Sequence, residues 1–253
     1  MPNDLIWDGE VNCSWIELSK LLLATCREFT KTMLETVSFS PNVESRSLIS
    51  KECMIRFESL TEVLAKIIES GEYYADEDLF RNQSALKLNG WIVLGSLTET
   101  TLQIFLAFYM DDYKRSNWKQ WDAFQAEPVK RLISQSIQDM VKNGYLDHSQ
   151  AKSLKCAVND KIKEHTREHK VEKIMLDELV QFYSELNLLD NDDIQDLKTI
   201  QSNRNGIHSF QDRDLGDWTE LKHSTRFFCY LLKWVLFCIS AHSPVLILSN
   251  TGN

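Results

Sequence analysis

LKLNGWIVLGSLTETTLQIFLAFYMDDY, residues 86–113, is the stretch that decides the fold. Its apolar residues, among them Trp91, Leu94, Leu97, Leu102, Phe105 and Met110, lie around most of the helical circumference. A helix that is apolar on nearly every side belongs at the centre of a larger assembly. The stretch therefore predicts a central helix over Leu86–Tyr113. Glu99 interrupts it, beside Thr98, Thr100 and Thr101, and with these residues the run reads as too broken to span a membrane. Glutamate is almost never fully buried without a partner. Either this turn reaches the surface through the threonines, or Glu99 lies against a cation, for which Arg204 and His208 are the candidates.

Helical spacing extends outward in both directions. Trp15–Thr36 places Leu18, Leu22, Cys26, Phe29 and Met33 on one face. After a loop from Ser38 to Ser47, Ile49–Ser70 groups Met54, Phe57, Leu60, Val63, Ile67 and Ile68, with Gly71 as its stop. Trp118 to Pro128 reads as a connector, Pro128 as the first turn of a helix that ends before Gly144. Asp147 caps a helix over Ser149–His169, and Leu176–Leu186 is another. Asp190, with Asp193 three positions on, caps the next helix. Trp218–Ala241 is the last, and the tail Ser249–Asn253 reads as disordered.

Composition fits this picture. Eight Gly and four Pro in 253 residues leave few turns, which argues against an all-β fold. The net charge of −9 repels nucleic acid overall, so any RNA contact needs a local basic patch. Residues 148–173 hold seven Lys/Arg against four Asp/Glu, a modest excess that suits a solvated helix. The six cysteines include no Cys-x-x-Cys pair and no zinc spacing, and they read as small apolar residues in a reducing compartment. The N-terminus lacks the basic and apolar regions of a secretory leader. These features point to a cytoplasmic protein that needs no membrane.

The residues that speak of chemistry are Arg204-Asn205-Gly206-Ile207-His208-Ser209-Phe210. Arg204 and His208 are four apart and would share a helix face. A fixed cation beside a group that titrates near neutral pH is a reasonable phosphodiester-cleaving pair. Leu197, Ile200, Arg204 and Ile207 form one stripe, so Arg204 stands where the pattern expects an apolar residue. A guanidinium there needs an anion, a partner or a second subunit, and a second subunit meeting the end of the stripe is the expectation.

Arginine, a polar residue, a short spacer and histidine, before the last long helix of an all-helical chain, resembles the HEPN superfamily of helical-bundle ribonucleases and toxins. At low detail the resemblance covers about residues 85–240. It implies a domain over 81–245, an N-terminal helical region over 1–80 packed on it, and a tail from 246. It also implies a metal-independent endoribonuclease that acts on RNA as a homodimer, in toxin or antiviral defence systems. Arg204 would hold the scissile phosphate and His208 would move protons. Asn205 would orient one of them, and Glu99 could support the pair, since a carboxylate beside His208 favours imidazolium. Two features depart from the family. Three residues separate Arg204 from His208 instead of four to six, which turns the histidine by about 100° on a regular helix. Phe210 also occupies the place of a tyrosine that is modified in some of these toxins. The alternative is a non-catalytic helical module that binds a protein or RNA partner.

Other chemistries find little support. His165-Thr166-Arg167-Glu168-His169 matches an inverted zinc-peptidase pattern, but its flanks are densely charged and no third ligand stands out, so it reads as a solvated helix without metal. There is no phosphate-binding glycine loop, no nucleophile elbow and no calcium loop. The expectation is therefore an all-α multi-helix bundle with no cofactor.

Overall fold

The computed structural model describes residues 13–39, 46, 49–74, 81–115, 117–165, 174–207 and 215–242. Among these residues there are eight α-helices and no strand, so the fold is all-α as expected. The helices are α1 (Trp15–Thr36), α2 (Lys51–Tyr74), α3 (Arg81–Arg115), α4 (Asn117–Lys142), α5 (His148–His165), α6 (Leu176–Glu185), α7 (Asn191–Arg204) and α8 (Trp218–His242). The chain forms two compact units. The larger comprises residues 1–108 and 174–253, the smaller Tyr109–Lys173. Within the larger unit α1 and α2 lie against each other and against α8.

In the larger unit, α3 is the axis. Trp91, Leu94, Leu97, Leu102, Phe105 and Leu106 are fully buried along it. Phe105 packs against Tyr183 of α6 at 5.1 Å and Trp234 of α8 at 5.2 Å between ring centroids. The Tyr183 hydroxyl donates to the Leu102 carbonyl at 2.8 Å, giving this buried phenol its partner. Ser84–Met110 is long and apolar enough to cross a membrane, with a mean hydropathy of 1.4, but most of it is buried inside the fold. The threonines break it less than their polarity suggests. Thr100 and Thr101 return their hydroxyls to the carbonyls of Ser96 and Leu97, each at 2.8 Å.

The pair α1 and α2 runs antiparallel with polar contacts through its seam. Ser19 donates to Glu69 at 2.7 Å, Cys26 donates to Thr61 at 3.2 Å, and Thr30 donates to Glu58. Ser14 caps α1 with Glu17 in a reciprocal capping box. Gly71 does not stop α2, which continues to Tyr74. Its missing Cβ instead admits the Trp15 ring, since a Cβ there would lie 2.4 Å from Trp15 Cε3. Val63 is exposed and Leu64 takes the buried place on that turn.

In the smaller unit the expected connector Trp118–Pro128 is helical. It forms the first half of α4, and Pro128 lies inside that helix rather than at its start. Lys119, Gln120, Ala123, Gln125, Ala126 and Glu127 all favour helix, and together they outweigh the breaker. After α4, Gly144 takes φ +76°. Its N–H donates to the Val141 carbonyl at 3.1 Å and that of Tyr145 to Met140 at 2.8 Å, a Schellman stop. Asp147 and Gln150 then cap α5 reciprocally at 2.8 and 3.0 Å. Helix α5 is described to His165. His169, Ser249–Asn253 and the tail from 246 lie outside the described residues.

Candidate functional site

The site begins at α7, whose first turn is fixed by its acidic cap. Asp190 Oδ1 accepts from the backbone N–H groups of Asp192 and Asp193, both at 3.0 Å, and the Asp190 N–H donates to Asp193 Oδ2 at 3.0 Å. Leu197 and Ile200 are fully buried on the expected stripe. The stripe then delivers Arg204 against α3. Arg204 Nη1 donates to Glu99 Oε2, forming an ion pair whose side chains are 32% and 14% exposed. Of the two readings open for Glu99, contact with a cation is the one adopted, in a part-buried pair with Arg204. Within its own chain Arg204 thus meets the anion that its place on the apolar stripe requires.

Gly95 makes the pairing sterically feasible. It lies one turn before Glu99, and a Cβ on it would come within 2.5 Å of Arg204 Cδ and 2.9 Å of Arg204 Cβ and Cγ. The arginine stem thus lies directly on the α3 backbone, with its head directed to Glu99. Sequence reading missed Gly95. The available signal was a glycine in the middle of a long apolar helix, where it costs helix stability unless another group must come close.

After Arg204 the helix tightens into a 3-10 turn over Asn205–Ile207. Asn205 is exposed and its backbone N–H caps α7. Gly206 again serves close approach, because a Cβ there would fall 2.2 Å from Leu215 Cδ2. His208 and Phe210 lie outside the described residues. The chain re-enters at Leu215, pinned by α3. Trp91 Nε1 donates to the Leu215 carbonyl at 2.8 Å, and Lys87 donates to the Gly216 carbonyl. Asp217 then caps α8 through the Glu220 N–H at 2.7 Å.

The electrostatic surroundings of α7 are acidic. Asp196 Oδ1 accepts from His223 Nε2 at 3.2 Å, an ion pair when the imidazole is protonated. Asn203 Nδ2 donates to Glu220 Oε1 at 3.4 Å. Burial pushes the Asp193 carboxyl up to about 7, against the lowering effect of the Asp190 N–H. Burial likewise raises Tyr230 to about 12, helped by Asp193 and Asp190. Among the described residues no cluster of His, Cys, Asp or Glu has the makings of a metal site, and the side chains of His165 and His169 are outside those residues.

Asp193 gives a pH prediction. Its folded value lies above its ordinary value of 3.8, so its stabilising contribution is complete below about pH 4. That contribution is lost as pH rises through about 7. Asp193→Asn keeps an acceptor for the Asp190 N–H and cannot ionise. Full linkage would be worth ~4 kcal/mol, and water at the helix end reduces this to about 1–2 kcal/mol. The variant should be more stable than the parent at pH 8 by that amount and lose the advantage at pH 4, as read by urea unfolding at both values.

The site can thus hold a guanidinium rigidly beside a carboxylate, at the end of a helix that leads into the Asn205–Ile207 turn. Of the residues read from sequence, it joins Arg204 to Glu99 and leaves Asn205 at the surface. No family model, no curated protein and no solved structure matches this chain.

Proposed function

We propose that this chain is a non-catalytic helical-bundle module of HEPN-like build, whose partner is another protein. The observation that carries this reading is the Arg204–Glu99 ion pair. A guanidinium whose charge is already met by a carboxylate is a poor ligand for a phosphodiester, which would have to displace Glu99 or tolerate it. The larger unit adds to this, with fifteen Lys/Arg against twenty-seven Asp/Glu over residues 1–108 and 174–253. Its field repels RNA. In this reading Arg204–Ile207 marks a structural joint, where α7 is locked to α3 before α8 begins.

A second reading, a metal-independent endoribonuclease acting as a homodimer in toxin or antiviral defence, is favoured by the 3-10 turn. Each 3-10 step rotates the chain by about 120° instead of 100°. Over the three residues of the turn this adds about 60° of rotation, in the sense that offsets a short spacer. In that reading Arg204 holds the phosphate, His208 moves protons and Asn205 orients them.

Incubation of the full chain with mixed single-stranded RNA in EDTA separates the two. The expected outcome is intact RNA. Fragments with 2′,3′-cyclic phosphate ends that disappear in both Arg204→Ala and His208→Ala, with helical circular dichroism unchanged, would replace the binding-module reading by the nuclease.

A further inference from the structure

Of the two units of this acidic chain, only the smaller has a net positive charge. Residues 109–173, the smaller unit, carry thirteen Lys/Arg against ten Asp/Glu. Within that unit α4 and α5 border a half-open groove of about 420 Å³. Its floor is apolar, formed by Ile137 and Val141 of α4 and Ala151 of α5, and its wall is polar, formed by the cationic Lys152 and Lys155 and by His148. His148, Lys152 and Lys155 are spaced by four and three residues, which sets them on one face of α5. None of the three makes a hydrogen bond or ion pair among the described residues.

From this arrangement we infer that the α4–α5 groove is a binding site for a small organic anion. The ligand has an apolar body and a carboxylate, sulfonate or phosphate head. The body covers Ile137 and Val141, and the head meets Lys152 and Lys155, which have no counter-charge among the described residues. The volume lies near the lower end of the range for small-molecule pockets, which suits a compact ligand and not a polymer. Two lysines without a partner on an open helix would simply remain hydrated. The concave apolar floor beneath them makes a ligand with both characters more favourable than water. This site is separate from the Arg204–Glu99 joint and stands whether or not that joint cuts RNA.

Cys156 provides a reporter, because its exposed thiol lines the same groove. The full chain is treated with iodoacetamide, a neutral reagent, at rising concentrations of anilinonaphthalene sulfonate, and each cysteine is followed by peptide mass spectrometry. At about ten times its Kd the dye should slow alkylation of Cys156 roughly tenfold, and saturably, while Cys13 and Cys53 react as before. N-phenylnaphthylamine, the uncharged relative, should protect far less. The Lys152→Gln/Lys155→Gln double variant should lose the protection with its helical circular dichroism intact. Equal protection by the uncharged dye, undiminished protection in the double variant, or no saturable protection of Cys156 would each overturn the site.

Discussion

Replacing Trp91 by alanine should cost about 3–5 kcal/mol, the usual loss for a large aromatic removed from a packed core. Trp91 is fully buried on the central helix, so the deletion leaves a cavity that neighbours fill only in part. It also removes the donor to the Leu215 carbonyl, leaving that acceptor to find another partner. The effect should reach beyond the core. Leu215 lies over Gly206, and Trp91 is one of two α3 side chains that hold the return of the chain into α8. Thermal unfolding should therefore move down by on the order of 10 °C. Trp91→Phe, which keeps most of the apolar volume and loses the N–H with part of the ring system, should cost about 1–2 kcal/mol. A Trp91→Ala variant within about 0.5 kcal/mol of the parent, the range of ordinary surface changes, would contradict the central position given to α3.

The second large effect is expected at Glu99. Removing one partner of a buried ion pair costs about 3–5 kcal/mol because the other charge stays behind, whereas an exposed pair is worth about 0–1 kcal/mol. With the side chains of Arg204 and Glu99 32% and 14% exposed, this pair lies between those limits. Glu99→Ala should therefore lose about 2 kcal/mol, checked by urea unfolding at neutral pH. Arg204 cannot swing fully into water without leaving its seat on Gly95, which is why the loss should exceed that of a surface pair. Glu99→Gln retains an acceptor for Nη1 and should lose about half as much.

Much of the architecture was legible in local pattern. The boundaries of α1 coincide with Trp15–Thr36 because a Ser14 box and a clean apolar face specify them. The caps at Asp147 and Asp190 were readable for the same reason, since a cap is a contact between near neighbours. Failures occurred where a residue answers to something distant. Gly71 looked like a helix stop, but its role is to admit the ring of Trp15, more than fifty residues away in sequence. Pro128 looked like a helix start, and its neighbours carry the helix through it.

The same division applies to the site. That Arg204 required an anion followed from its place on an apolar stripe, and Glu99 was suspect because it interrupted an apolar helix. Their pairing joins residues 105 apart in the chain, and the space that permits it, at Gly95, depends on how α7 crosses α3. No periodicity encodes that crossing. Sequence spacing reveals which residues share a helix but not which charge on another helix faces them, so it left the anion of Arg204 open.

The most direct measurement of the central claim is a double-mutant cycle on Glu99→Gln and Arg204→Met, read by urea unfolding of the parent, both single variants and the double variant. If the charge of Arg204 is committed to Glu99, the two losses will not add, and a coupling energy of about 1–2 kcal/mol will remain. Additive effects, within about 0.5 kcal/mol, would contradict the account and leave Arg204 a free guanidinium, as the nuclease reading requires.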